Sequence, residues 1–86
     1  MTDTHNGWTN RETWSANLML SNDEHTYRYV VRELQKHLGQ DSTDKEIVEL
    51  FEGFGAMFSD KARNEVGDLN NVNWLEIGQH WVEDEL

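Results

Sequence analysis

The chain has 86 residues, with 17 Asp and Glu against 7 Lys and Arg, a formal charge of −10, and neither cysteine nor proline. Its length allows a single domain, and the absence of cysteine excludes disulfides and cysteine-based zinc sites. Its negative field repels nucleic acid and anionic membranes and attracts basic surfaces over a Debye length of roughly 10 Å. No run is long and apolar enough to span a bilayer, and the N-terminal residues lack a signal-peptide pattern, so a soluble intracellular protein is expected. Four Trp, two Tyr and three Phe set the chain apart from disordered acidic tails, and large rings let a small domain bury enough apolar area.

Apolar residues recur at helical spacing, and no alternating pattern persists. The expectation is an all-α fold: a compact bundle of about four short helices in a single acidic domain spanning 1–86, with 1–8 as an irregular lead-in. A Thr-x-x-Glu capping box at Thr9 and Glu12 starts a helix that runs to about Leu20 and presents Trp14 and Leu18. Ser21 and Glu24 repeat the box before a stripe of Tyr27, Val30, Val31, Leu34 and Leu38, with Gly39 as a left-handed stop. Thr43 and Glu46 form a third box, leading into Ile47, Leu50, Phe51, Phe54 and Phe58. Gly53 and Gly55 flank Phe54, each at about 1 kcal/mol against Ala, which points to close approach of a neighbouring helix or to a bend. Asp60 to Val66 either continues this helix or forms a separate turn before Gly67. Asn73 caps a last helix with Glu76 at its third position. There Val72 and Ile77 are placed as a hydrophobic staple, and Trp74, Ile77 and Trp81 face inward.

No motif in the chain carries catalysis. His5, His25, His37 and His80 are scattered, and the nearest approach to a metal motif, His80 with Glu83, offers two ligands where three or four must converge. There is no glycine-rich phosphate loop and no Gly-x-Ser-x-Gly elbow. Acidic pairs on a small helical domain read as a solvated face, because a catalytic carboxylate needs a cleft that shifts its pKa. The expectation is a non-enzymatic protein without cofactor or metal.

Two constellations remain. Asp44, Glu46, Glu49 and Glu52 line the third helix away from its phenylalanine stripe, and Glu83, Asp84 and Glu85 sit at the negative end of the last helix dipole, where they oppose stability. These acids read either as solvated residues or as carboxylates that imitate a phosphate backbone, since i, i+4 carboxylates stand about 6 Å apart. The second is the run Asn6-Gly7-Trp8-Thr9-Asn10-Arg11-Glu12-Thr13-Trp14. It reads either as the start of a helix, with Trp14 in the core, or as a recognition surface anchored by Trp8 and Arg11.

That run, followed by Asn17-Leu18 and Ser21-Asn22-Asp23-Glu24, resembles a family of small uncharacterised proteins from bacteriophages, archaeal viruses and other mobile elements, with a Gly-Trp-x-Asn-x-Glu-Thr-Trp signature. Val72-Asn73-Trp74-x-Glu76-Ile77 and Trp81 are similar to that family's closing segment. Met19 stands where the family is expected to carry Trp. The resemblance implies an accessory protein of a mobile element, a class that includes anti-CRISPR and antirestriction inhibitors.

The leading expectation is therefore an inhibitor in the cytoplasm of an infected host cell. It would bind a basic, nucleic-acid-binding surface of a host defence complex, a CRISPR–Cas effector foremost, with the acidic residues as its binding face. It would contact neither nucleic acid nor membrane directly. The alternative is a structural or assembly adaptor, with a homodimer as one form, whose acidity serves solubility or adaptation to high salt.

Overall fold

Each helix begins on a side chain that accepts a hydrogen bond from a backbone amide three residues later, which satisfies one of the donors a helix start leaves open. The computed structural model describes residues 5–86. It contains α1 (Arg11–Ser21), α2 (Glu24–His37), α3 (Asp44–Ala56), α4 (Asp60–Val66) and α5 (Trp74–Glu85), with a 3₁₀ turn at Leu69–Asn71. The caps are Asn10, Asp23, Thr43, Ser59 and Asn73. The fold is all-α, with five helices rather than about four. Ser59 supplies the additional start, so Asp60–Val66 is a helix in its own right rather than an extension of α3.

Only one of the three expected capping boxes is complete. Thr43 accepts from the Glu46 amide while the Glu46 carboxylate accepts from the Thr43 amide at 2.8 Å. The cap of α1 is Asn10, one residue beyond Thr9, because the Asn10 side chain takes the Thr13 amide at 2.8 Å. The Thr9 amide instead donates to Glu76 at 3.0 Å. The cap of α2 is Asp23, whose carboxylate takes the Thr26 amide, while the Ser21 hydroxyl turns back to the Asn17 carbonyl at 2.9 Å. Gly39 is not the left-handed stop of α2. The chain leaves through Leu38 in extended conformation, and among the described residues the positive-φ glycines are Gly7 and Gly67.

The lead-in before α1 is ordered locally where it is described. Residues 1–4 of the expected irregular segment lie outside the described residues. His5 and Trp8 exchange both backbone hydrogen bonds at 2.9 Å across Asn6 (φ 49°) and Gly7 (φ 88°). Positive φ at both central residues of a two-residue loop is the mark of a type I′ turn, for which Asn-Gly is the preferred pair.

The core is a single cluster fed by every helix, with Leu20, Val30, Leu34, Phe51, Val66 and Ile77 fully buried. Its tightest seam joins α3 to α5. Gly78 lies directly against Ile47 and Phe51, and a Cβ at Gly55 would fall 2.5 Å from the Trp74 ring. These two glycines let side chains of the facing helix rest directly on the backbone, whereas Gly53 faces open space. The register runs Ile47 to Gly78 and Gly55 to Trp74, so α3 and α5 are antiparallel. The first turn of α3 and the last turn of α5 therefore lie at the same end of the molecule.

Candidate functional site

The antiparallel seam brings together acids that are separate in sequence. Asp44 and Glu46 open α3 and Glu83, Asp84 and Glu85 close α5, so the two groups share one end, with Glu49 and Glu52 continuing along α3 toward the start of α5. All are exposed except Glu85, which is partly covered. The ion pairs among the described residues are Arg28 with Glu24 and His37 with Glu33, and neither includes any of the seven.

Two of the seven carboxylates are engaged within the fold. Glu46 is held below its ordinary pKa by the Thr43 amide first and the Thr43 hydroxyl second. Glu85 accepts the Tyr27 hydroxyl, which raises the phenol above its usual value. Asp44, Glu49, Glu52, Glu83 and Asp84 take no part in the hydrogen bonds formed among the described residues. At the start of α3 the dipole favours its acids. At the end of α5 it opposes them, and no basic residue sits in that last turn to compensate.

The signature run has the opposite character, because nearly every side chain in it is used by the fold. The Asn10 amide group donates to the Asn71 carbonyl at 2.8 Å in addition to its capping role. Thr13 is fully buried, and its hydroxyl accepts the Asn73 amide at 2.9 Å. Trp14 packs on His5 with ring centres 4.5 Å apart, and Trp8 on His80 at 4.6 Å. Trp8 is half-buried. Arg11 donates to the carbonyls of Glu65 at 3.3 Å and Val66 at 3.1 Å, so its guanidinium caps the end of α4. The run fastens the start of α1 to the end of α4 and the start of α5.

Two recesses bring in residues that the sequence did not single out. A polar and aromatic cleft of about 210 Å³ is lined by Trp8, Tyr27, His80 and Trp81 with Asp84 and Glu85 at its edge. Its walls come from the N-terminal turn, α1, α2 and α5, so no local pattern announces it. An apolar groove of about 370 Å³ runs between α2 and the α3–α4 connection, past Met19, Tyr29, Phe54, Met57 and Phe58. Met57 is 66 % exposed, the most exposed large apolar side chain described. Among the described residues no three His, Asp or Glu side chains gather at a metal-binding distance, and no helix is long and apolar enough to cross a membrane.

Residues 1–84 match a family of unknown function, DUF7249, and the chain belongs to that family. Neither a curated protein nor a solved structure matches it.

Proposed function

We propose that this member of the family is a non-catalytic binding protein that occupies a basic, nucleic-acid-binding surface of a host defence complex, a CRISPR–Cas effector foremost. The observation that carries the reading is the acidic surface along the α3–α5 seam: five exposed carboxylates without internal partners, with Asp44, Glu83 and Asp84 at the shared end and Glu49 and Glu52 farther along α3. Carboxylates that stabilise the fold are normally capped or paired, and those at the end of α5 work against their own helix. Lys and Arg that normally hold phosphates would meet them, and nucleic acid would be displaced. Charge complementarity of this kind governs association rate and specificity, and it weakens with salt.

The test is capture by tagged protein from a host lysate at low salt, with elution by a salt gradient. The reading expects a nucleic-acid-binding defence subunit that is released by moderate salt and competed by DNA. Charge reversal at Glu49 and Glu52, or at Glu83 and Asp84, should abolish capture. A complex unaffected between about 50 and about 500 mM salt would rule out electrostatic mimicry.

The apolar groove beside Met57 favours a second reading, an assembly adaptor that self-associates through this face, its acidity serving only solubility. That reading expects a dimer mass in solution that falls to monomer on Met57→Glu. If the acidity instead reflects adaptation to high salt, the protein unfolds as ionic strength is lowered.

A further inference from the structure

We infer that the cleft between the N-terminal turn, α2 and α5 is a receptor for an arginine side chain presented by the partner. This deepens the proposed function by naming the contact that would anchor it, and it rests on that reading for the identity of the partner.

The argument begins with the walls. Trp81 is 5 % exposed, and its indole N–H donates to the Asn17 side chain at 2.8 Å, which fixes the ring and satisfies its only donor. Tyr27 packs against it with ring centres 5.3 Å apart, and the Tyr27 hydroxyl is tied to Glu85. Trp8 and His80 form a second pair at 4.6 Å. The cleft of about 210 Å³ is lined by these four rings together with Asn17 and Ser21 of α1 and the acids Asp84 and Glu85. An aromatic face attracts a cation, most strongly when the ring is Trp. Adjacent carboxylates attract the same charge.

The combination selects among cations. A quaternary ammonium has no donor to offer a carboxylate and is served best by rings alone. A lysine ammonium is a compact, strongly hydrated point charge. A guanidinium is flat, stacks on aromatic faces, is weakly hydrated, and presents a rigid fork of donors to carboxylate oxygens. Glu85 already accepts from Tyr27 through one oxygen, while Asp84 is exposed and forms no hydrogen bond among the described residues. Aromatic rings and an open carboxylate lining one cleft match the guanidinium's faces and its donor rim.

Trp8 serves both the fold and the cleft: its ring is half-buried, packs against the core, and lines the cleft.

The test is a titration of the full chain with four short, otherwise neutral peptides that differ at one residue: arginine, citrulline, lysine or trimethyllysine. It is followed through the Trp8 and Trp81 indole N–H resonances. The arginine peptide should shift both signals saturably, and citrulline, which keeps the shape and loses the charge, should not. Asp84→Asn and Trp8→Leu should each weaken arginine binding about two- to fivefold, the scale of an exposed charge pair or cation–aromatic contact. Asp84→Asn leaves every described hydrogen bond intact, so its effect does not depend on the fold tolerating Trp8→Leu. Equal binding of citrulline and arginine overturns the proposal, as does preference for trimethyllysine or an Asp84→Asn variant that binds like the parent. Because isolated peptides are used, failure here is distinct from failure of the salt-sensitive capture that tests the acidic end.

Discussion

The signature run and the acidic end treat their polar groups in opposite ways. Between Thr9 and Thr13 the polar groups reach across 60 or more residues of sequence: the Thr9 amide to Glu76, Asn10 to Asn71 and Thr13 to Asn73. At the acidic end and along α3, Asp44, Glu49, Glu52, Glu83 and Asp84 stand in solvent, outside the side-chain hydrogen bonds of the described residues. The lesson is about where to look for function in a small domain. A dense, unusual motif can be the fastening of the fold, while an unremarkable scatter of acids becomes a surface only once two helices align it.

Variants can break or sharpen this contrast. The largest effects belong to the buried seam and the fastening. Gly78→Ala forces a methyl into Ile47 and should cost about 1–3 kcal/mol, read as a lower urea midpoint. Thr13→Val keeps the shape but leaves the Asn73 amide without its acceptor, also at about 1–3 kcal/mol. Next comes Asn10→Ala, which removes the α1 cap and the bond to Asn71, at about 0.5–2 kcal/mol in thermal unfolding. If these variants are as stable as the parent, the run is free for recognition and the contrast fails.

The smallest effect concerns pH. The Tyr27 phenol is raised in the folded state by Glu85, so its contribution is fully present below the ordinary phenol pKa near 10 and is lost as pH rises through the higher folded value. Tyr27→Phe should remove that alkaline loss. For Glu46 the sign is reversed. Its depressed carboxyl stabilises α3 above the ordinary value and loses that contribution as pH falls through the lower folded one, so Glu46→Gln should flatten the acid side of the stability profile.

Much of the fold was legible because it is written locally. The Thr43–Glu46 box, the Asn73 cap, and the stripes through Val30, Leu34, Ile47 and Phe51 depend on spacings of three and four, and the structure keeps them. Errors arose where two nearby residues could do the same job. Asn10 took the cap from Thr9 and Asp23 took it from Ser21, because Asn and Asp rank ahead of Thr as caps and Asp23 lies closer to the start of α2. The Asn6-Gly7 turn carried its own signal, the favoured type I′ pair, but was read as an irregular lead-in.

The candidate site was legible in part. The exposed acids followed from the helical pattern. Their convergence depended on Gly55 and Gly78, and of these only Gly55 stood out in the sequence as a close-approach residue. The aromatic cleft was not legible, because Trp8, Tyr27 and Trp81 come from three separate stretches and each has a sufficient local role as a packing residue.

The central claim is that the exposed acids of α3 and the end of α5 are held for a partner while Thr9 to Thr13 of the signature run are held for the fold. Its most direct test compares urea unfolding of the parent with a variant carrying Asp44→Asn, Glu49→Gln, Glu52→Gln, Glu83→Gln and Asp84→Asn. The neutral variant should match the parent within about 0.5 kcal/mol or exceed it, because mutual repulsion and the opposed dipole at the end of α5 are relieved. A loss comparable to that of Thr13→Val would mean the acids serve the fold, and the claim would be wrong.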